Sequence, residues 1–183
     1  MHPIMWQFAE YHSQEFFKLH EDDTEITLNG RVILMLENIP THIHYQIICD
    51  TNWHTRTVNI QQTHGEEIHV INLTVDERNI WRIDSDILRE MEGIIDVDLE
   101  ITPATNTLPI NRLNLEIGQS AMVRAAWVRF PKLIVQALEQ RYTRLTETRY
   151  EYHNPASGFT TGLEVDEFGV VIDYGDLWKR VRS

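Results

Sequence analysis

The sequence predicts a mainly β fold: one large antiparallel sheet curled into a barrel or half-barrel with a cavity, and little helix. Three observations predict it. Apolar and polar side chains alternate with period two over most of the chain, which is the pattern of half-buried strands. Turn residues recur at short intervals, at Asn29-Gly30, Asn38 to Pro40, His64-Gly65, Asp76 to Asn79 and Glu92-Gly93. Helical periodicity is scarce.

Taken in order, the N-terminal MHPIMWQFAEYHSQEFF lacks a basic start and a long apolar run, so it is not read as a secretory signal. THIHYQII alternates through Ile43, Tyr45 and Ile47 and runs into Cys49, expected as a buried, inert thiol. TRTVNIQ, with Val58 and Ile60, and EEIHVINLTV give two more strands. SDILREM reads as one helical turn capped by Ser85. In GIIDVDLEIT, Ile95, Val97, Leu99 and Ile101 point one way and Asp96, Asp98 and Glu100 the other, a half-buried strand with an acidic face. TPATNTLPINRL, residues 102 to 113, reads as a loop stiffened by two prolines.

RLNLEI (Leu113, Leu115, Ile117) and AMVRAAWVRF continue the alternation. KLIVQALEQRYTRL contains helix formers, but Leu133, Val135 and Ala137 alternate and favour a strand. TRYEYHN and FTTGLEV form a pair joined by Asn154-Pro155-Ala156-Ser157-Gly158. DEFGVVIDY closes with a turn at Gly169 and a last short strand, leaving WKRVRS as a solvated end.

At 183 residues a single β-rich domain over 1–183 is expected. A formal net charge of −12 argues against nucleic acid or an anionic membrane as the main partner, because both require a basic face. The one cysteine permits neither an intrachain disulfide nor a cysteine zinc site. No stretch approaches ~20 continuous apolar residues, so no transmembrane segment is expected. The expected compartment is cytoplasmic, where the sequon at Asn72 carries no weight.

If such a sheet curls, its polar face lines a cavity. Thr105, Asn106 and Arg112 would then stand against Asp96 and Asp98. An arginine between two carboxylates is either a structural ion pair or an anchor for a ligand. Asp96 and Asp98 share a strand face with α carbons ~6.5–7 Å apart, a spacing that admits acid–base work on a glycoside. His42 and His44 also share a face, but spacing fixes no third ligand, so no metal is expected. No nucleophile elbow, phosphate loop or dinucleotide fingerprint is present, and no cofactor is expected.

The run DVDLEITPATNTLPINRL, residues 96 to 113, resembles the bacterial family called the putative glycolipid-binding domain, in which an acidic strand precedes a TPxTNTLPI-R-L loop. TNWHTRTVNI, NIWRID, AWVRFPKLIVQALEQRYTRL and DEFGVVIDY look like further pieces of that family, so the resemblance covers roughly residues 25 to 175. It departs at Ala104, where a larger apolar residue is common. The resemblance implies a β-rich half-barrel similar to bacterial lipoprotein carriers, with a cavity. Carried over residue by residue, it marks Trp53, Thr55, Arg56, Trp81, Asp96, Asp98, Thr105, Asn106, Thr107, Arg112 and Tyr142 as cavity-lining. For Trp53, Trp81 and Trp127 the alternative is core packing.

The function expected is non-enzymatic binding of a small amphipathic molecule, a glycolipid by the family's label. The alternative is a carbohydrate-processing hydrolase using Asp96 and Asp98. An open half-barrel leaves sheet edges that must be covered, and a homodimer would cover them.

Overall fold

In the computed structural model, which describes residues 2–8 and 13–181, the strands form one continuous sheet. Its first half is a meander of β1 (His2–Phe8), β2 (Ser13–Glu21), β3 (Ile26–Leu36), β4 (Ile39–Cys49), β5 (Thr55–His64) and β6 (Glu67–Val75). The short β7 (Trp81–Ile83) and β8 (Asp86–Ile87) finish it. The second half holds β9 (Asp96–Leu99), β10 (Ser120–Arg129), β11 (Ile134–Arg144), β12 (Arg149–Asn154), β13 (Phe159–Val165), β14 (Val171–Tyr174) and β15 (Trp178–Arg180). Sheet order descends from β8 to β1, crosses to β15, and descends again to β9. The strands nearest the two chain ends are therefore neighbours in the middle of the sheet. β9 runs parallel to β10, and the other described pairs are antiparallel.

Period-two sequence becomes period-two burial. Phe17 on β2, Leu28 and Val32 on β3, Ile43 and Ile47 on β4, and Val58 on β5 are all 0% exposed, and their neighbours along each strand face out. Burying such side chains supplies about 1.5–3 kcal/mol each. The sheet curls about this face without closing. Thr55 N donates to Ile95 O at 3.2 Å, and Gln62 Nε2 donates to Pro131 O at 2.7 Å, so β5 meets the far end of the sheet.

Several expectations needed correction. Asn29-Gly30 is no turn but the middle of β3, where Gly30 faces Tyr45 of β4. A Cβ on Gly30 would lie 2.1 Å from the Tyr45 ring, so the glycine exists to let that ring lie across the strand. TPATNTLPINRL is not an extended loop: a 3-10 turn at Ala104–Asn106 leads into helix α1 (Thr107–Leu113). Pro109 is tolerated because it sits in the first turn, where its missing N–H has no intrahelical partner. Asn114 ends the helix in a left-handed conformation (φ 41°), so RLNLEI forms helix end and turn, not a strand.

SDILREM gives a short 3-10 turn at Arg89–Met91 with no side-chain cap, and Ser85 lies in the turn before β8. The strand in GIIDVDLEIT is only Asp96–Leu99, and its acidic face is not solvated, since Asp96 is 1% exposed. The WKRVRS tail is anchored: Trp178 is buried and Arg180 donates to Asp166 Oδ2 at 2.6 Å, with residues 182 and 183 outside the described residues. The ambiguous 132–145 segment is the strand β11.

Residues 101–110 are buried without a break. The stretch that reads as a stiff loop is the plug of the half-barrel.

Candidate functional site

A buried plug must satisfy its own polar groups, and the sheet does most of this. Thr105 Oγ1 donates to Asp98 Oδ1 at 3.2 Å and accepts from Leu99 N at 3.3 Å. Asn106 Nδ2 donates to Pro103 O at 3.0 Å, and its Oδ1 accepts from the Tyr142 hydroxyl at 2.8 Å. Asn111 Nδ2 donates to Thr107 O and to Phe168 O, both at 3.0 Å, tying α1 to the β13–β14 turn. Arg112 forks onto Asp96, with Nε at 3.0 Å from Oδ1 and Nη2 at 2.5 Å from Oδ2. Burial raises the Asp96 carboxyl, and the guanidinium opposes that rise.

Between the plug and the strands lies a cavity of about 540 Å³. One wall is polar: Asp98, Thr102 and Asn106, with Ser13 beside them. The rest of the lining is mostly apolar and aromatic, from Leu34 and Leu36 of the β3–β4 hairpin, Trp127 of β10 and Phe130 just after it, Tyr152 and Phe159 of β12–β13, and Trp178, with Glu37, Glu100 and Asn154 as its further polar members. This is the layout of a small-molecule site, mostly apolar with a few placed polar groups. Asp98 Oδ2 accepts from Gln140 Nε2 at 2.6 Å. Burial lifts its carboxyl to about 6 against the pull of Thr105 and Gln140, and Glu100 adds to the rise.

Behind Thr102 lies a second carboxyl that the sequence reading missed. Glu15 is 0% exposed and accepts from the Tyr45 hydroxyl, and its Oε2 accepts from Thr102 Oγ1 at 2.6 Å. Burial pushes it to about 8, outweighing both hydroxyls, so it is mostly protonated near neutrality. A signal was present: Ser13, Glu15, Phe17 and Leu19 share one strand face, and a glutamate on an apolar face needs a partner.

Of the residues marked as cavity-lining, Asp98 and Asn106 line this cavity. Thr105, Tyr142, Asp96 and Arg112 stand directly behind, bonded to them or to the plug. Thr107 is buried in α1. Trp53, Thr55 and Arg56 gather outside the cavity, next to the Asp96 end of β9, where Arg56 Nη2 donates to Asp50 Oδ2 at 2.6 Å and Nη1 to Asp76 O at 2.9 Å. Trp53 takes a positive φ of 64° and packs partly against the core. Trp81 is fully buried, with its indole N–H donating to Ile94 O at 2.7 Å. Cys49 is buried and its thiol is pushed up to about 12, chiefly by burial.

Among the described residues no group of three or more His, Cys, Asp or Glu side chains could hold a metal ion. No helix among them is long and apolar enough to cross a membrane. The family model described as putative glycolipid-binding matches residues 3–180. The chain belongs to that family. A crystal structure of a DUF1089 family protein from Pseudomonas aeruginosa is similar to it, with a TM-score of 0.81 and 32% identity over 91% of this chain and 92% of that one. No curated protein matches it. In this member of the glycolipid-binding family, position 104 is a fully buried alanine of the plug's 3-10 turn.

Proposed function

We propose that the chain binds a small amphipathic molecule in the 540 Å³ cavity, without chemical change, and that its ligand falls in the class the family label names. One observation carries this reading: the cavity joins a polar cluster of Asp98, Thr102 and Asn106 to a lining that is mostly aromatic and aliphatic. A head with hydroxyl or other donor groups satisfies the polar wall, and a chain or ring covers the apolar one. Asp98 and Asn106 contact the ligand. Thr105, Gln140 and Tyr142 hold them in place.

The hydrolase alternative needs Asp96 and Asp98 as a working pair. Asp96 is fully engaged by Arg112, which speaks against it. We propose further that two copies pair along an exposed sheet edge, supported by Ile68 and Val70 at 64% and 60% exposure on β6. Light scattering on the purified protein tests that pairing. A cytoplasmic location is part of the same reading, consistent with a single unpaired cysteine.

The test of ligand binding is native mass spectrometry of gently purified protein, followed by organic extraction. A bound amphiphile of defined mass, lost on Asn106→Ala with the fold retained, is the expected result. Equal ligand occupancy in Asn106→Ala would remove this wall from the site.

A further inference from the structure

Several partly or fully buried carboxylates in this fold are answered by cations. Asp50 has Arg56, Asp76 has Arg82, Asp96 has Arg112 and Asp166 has Arg180. Glu100, at the cavity rim, has Arg129 at 3.9 Å. Glu15, sealed in the interior, keeps its proton instead. Asp98 does neither. Its partners among the described residues are the neutral Thr105 and Gln140, and with a carboxyl at about 6 it is mostly ionised at pH 7. No lysine, arginine or histidine among the described residues lines the cavity it faces. A partly desolvated carboxylate without a counter-charge is costly, and a cation arriving beside it relieves that cost.

Two further features of the lining bear on Asp98. Tyr152 and Tyr174 both line the cavity with ring centroids 6.1 Å apart in an edge-on arrangement, and both lie close enough to Asp98 for its charge to help push their hydroxyls up. Faces of neutral tyrosine rings attract cations. Ser13 also lines the cavity, is 0% exposed, and its hydroxyl has no partner, so a buried polar group there awaits a ligand donor or acceptor.

We propose that the cavity takes an amphiphile whose head is positively charged, an ammonium seated between Asp98 and the Tyr152 and Tyr174 rings, and rejects anionic heads. This rests on the reading of the cavity as a ligand site and narrows its ligand class. An amine-bearing sugar head meets the same requirement as a simple alkylamine.

The experiment compares three probes of equal chain length below their micelle concentrations: octylammonium, octyl β-glucoside and octanoate. Binding is read by calorimetry at pH 7.5 on the wild-type chain and on Asp98→Asn. The expected order is octylammonium tighter than octyl glucoside by about tenfold or more, with octanoate unbound. Asp98→Asn should erase that preference, with octylammonium losing about tenfold or more relative to octyl glucoside. The substitution removes one unit from a net charge of −12, so non-specific attraction of a cation hardly changes. Glucoside binding as well as or better than octylammonium would overturn the proposal, as would octanoate binding or a preference that survives in Asp98→Asn. If Asp98→Asn does not fold, the wild-type ranking alone decides. Binding of none of the three sinks the ligand-site reading as well, which separates the two failures.

Discussion

Asp96 gives up nearly all its water and receives a two-pronged guanidinium in return. Removing one partner of such a pair leaves the other charge buried and alone. Arg112→Ala should therefore cost about 3–5 kcal/mol in urea unfolding, and Arg112→Lys should recover little of it because an ammonium cannot fork. Glu15 poses the opposite case. Its folded value of about 8 exceeds the 4.5 of an exposed glutamate, so the unfolded chain sheds this proton first as pH rises. Stability from this group is fully present below about pH 4.5 and is lost as pH climbs toward 8. Glu15→Gln should flatten that fall, so the variant gains on the wild type at pH 8 by on the order of a few kcal/mol. Unfolding midpoints at pH 5 and pH 8 measure it, and parallel curves would show that Glu15 ionises without cost. Glu15 was missed in the sequence because a single acidic residue among alternating apolar ones looks like an irregularity of pattern. Its partners Tyr45 and Thr102 lie 30 and 87 residues away.

At the scale of elements, strands and plug were unequally legible. β4 to β6 and β10 to β13 could be read because a strand's side-chain period is set by local geometry alone. The 102–113 segment could not, because threonine, asparagine and proline look alike in a surface loop and in a buried helix whose polar groups are answered by distant strands. Only the need to satisfy those groups pointed inward, and it identified Asp96, Asp98 and Arg112 as neighbours without saying that Asp96 lies behind the cavity wall. The cluster at Trp53 and Arg56 is marked as cavity-lining by resemblance, yet it lies outside the cavity, next to the Asp96 end of β9. The plug's status makes a dynamic prediction. Amides of residues 104–113 should exchange with solvent nearly as slowly as those of β4, as measured by hydrogen–deuterium exchange. Exchange within seconds would show that the segment opens independently of the sheet. Gly30 couples two strands in the same way: Gly30→Ala forces the Tyr45 ring aside and should cost about 1–3 kcal/mol, an effect much reduced in a Tyr45→Ala background.

Across the whole molecule, the sheet order divides the chain at its ends. β2 to β8 and β14 to β9 each follow the sequence, and within the sheet they meet through β1 and β15. That joint has three paired positions, Trp6 with Arg180, Gln7 with Lys179 and Phe8 with Trp178. It is reinforced by the Trp6 indole N–H donating to Val171 O at 2.8 Å and by the Phe8–Trp178 ring contact at 4.8 Å. Contacts of such long sequence separation form late in folding, because loop closure costs entropy first. Trp178→Ala should lower the unfolding midpoint and speed unfolding more than it slows refolding, as stopped-flow kinetics would report.

The joint also sets how the molecule would answer a mechanical load. β1 and β15 are antiparallel, so the outer ends of both strands lie on the same side of the joint, where Val181 N donates to Met5 O. A pull on the two chain ends therefore loads the three rungs one after another, like a zipper, instead of all at once. The last rung to part is Phe8 with Trp178, and both side chains line the cavity. Tension applied through the termini would thus act first on this end of the sheet and open the container along its seam.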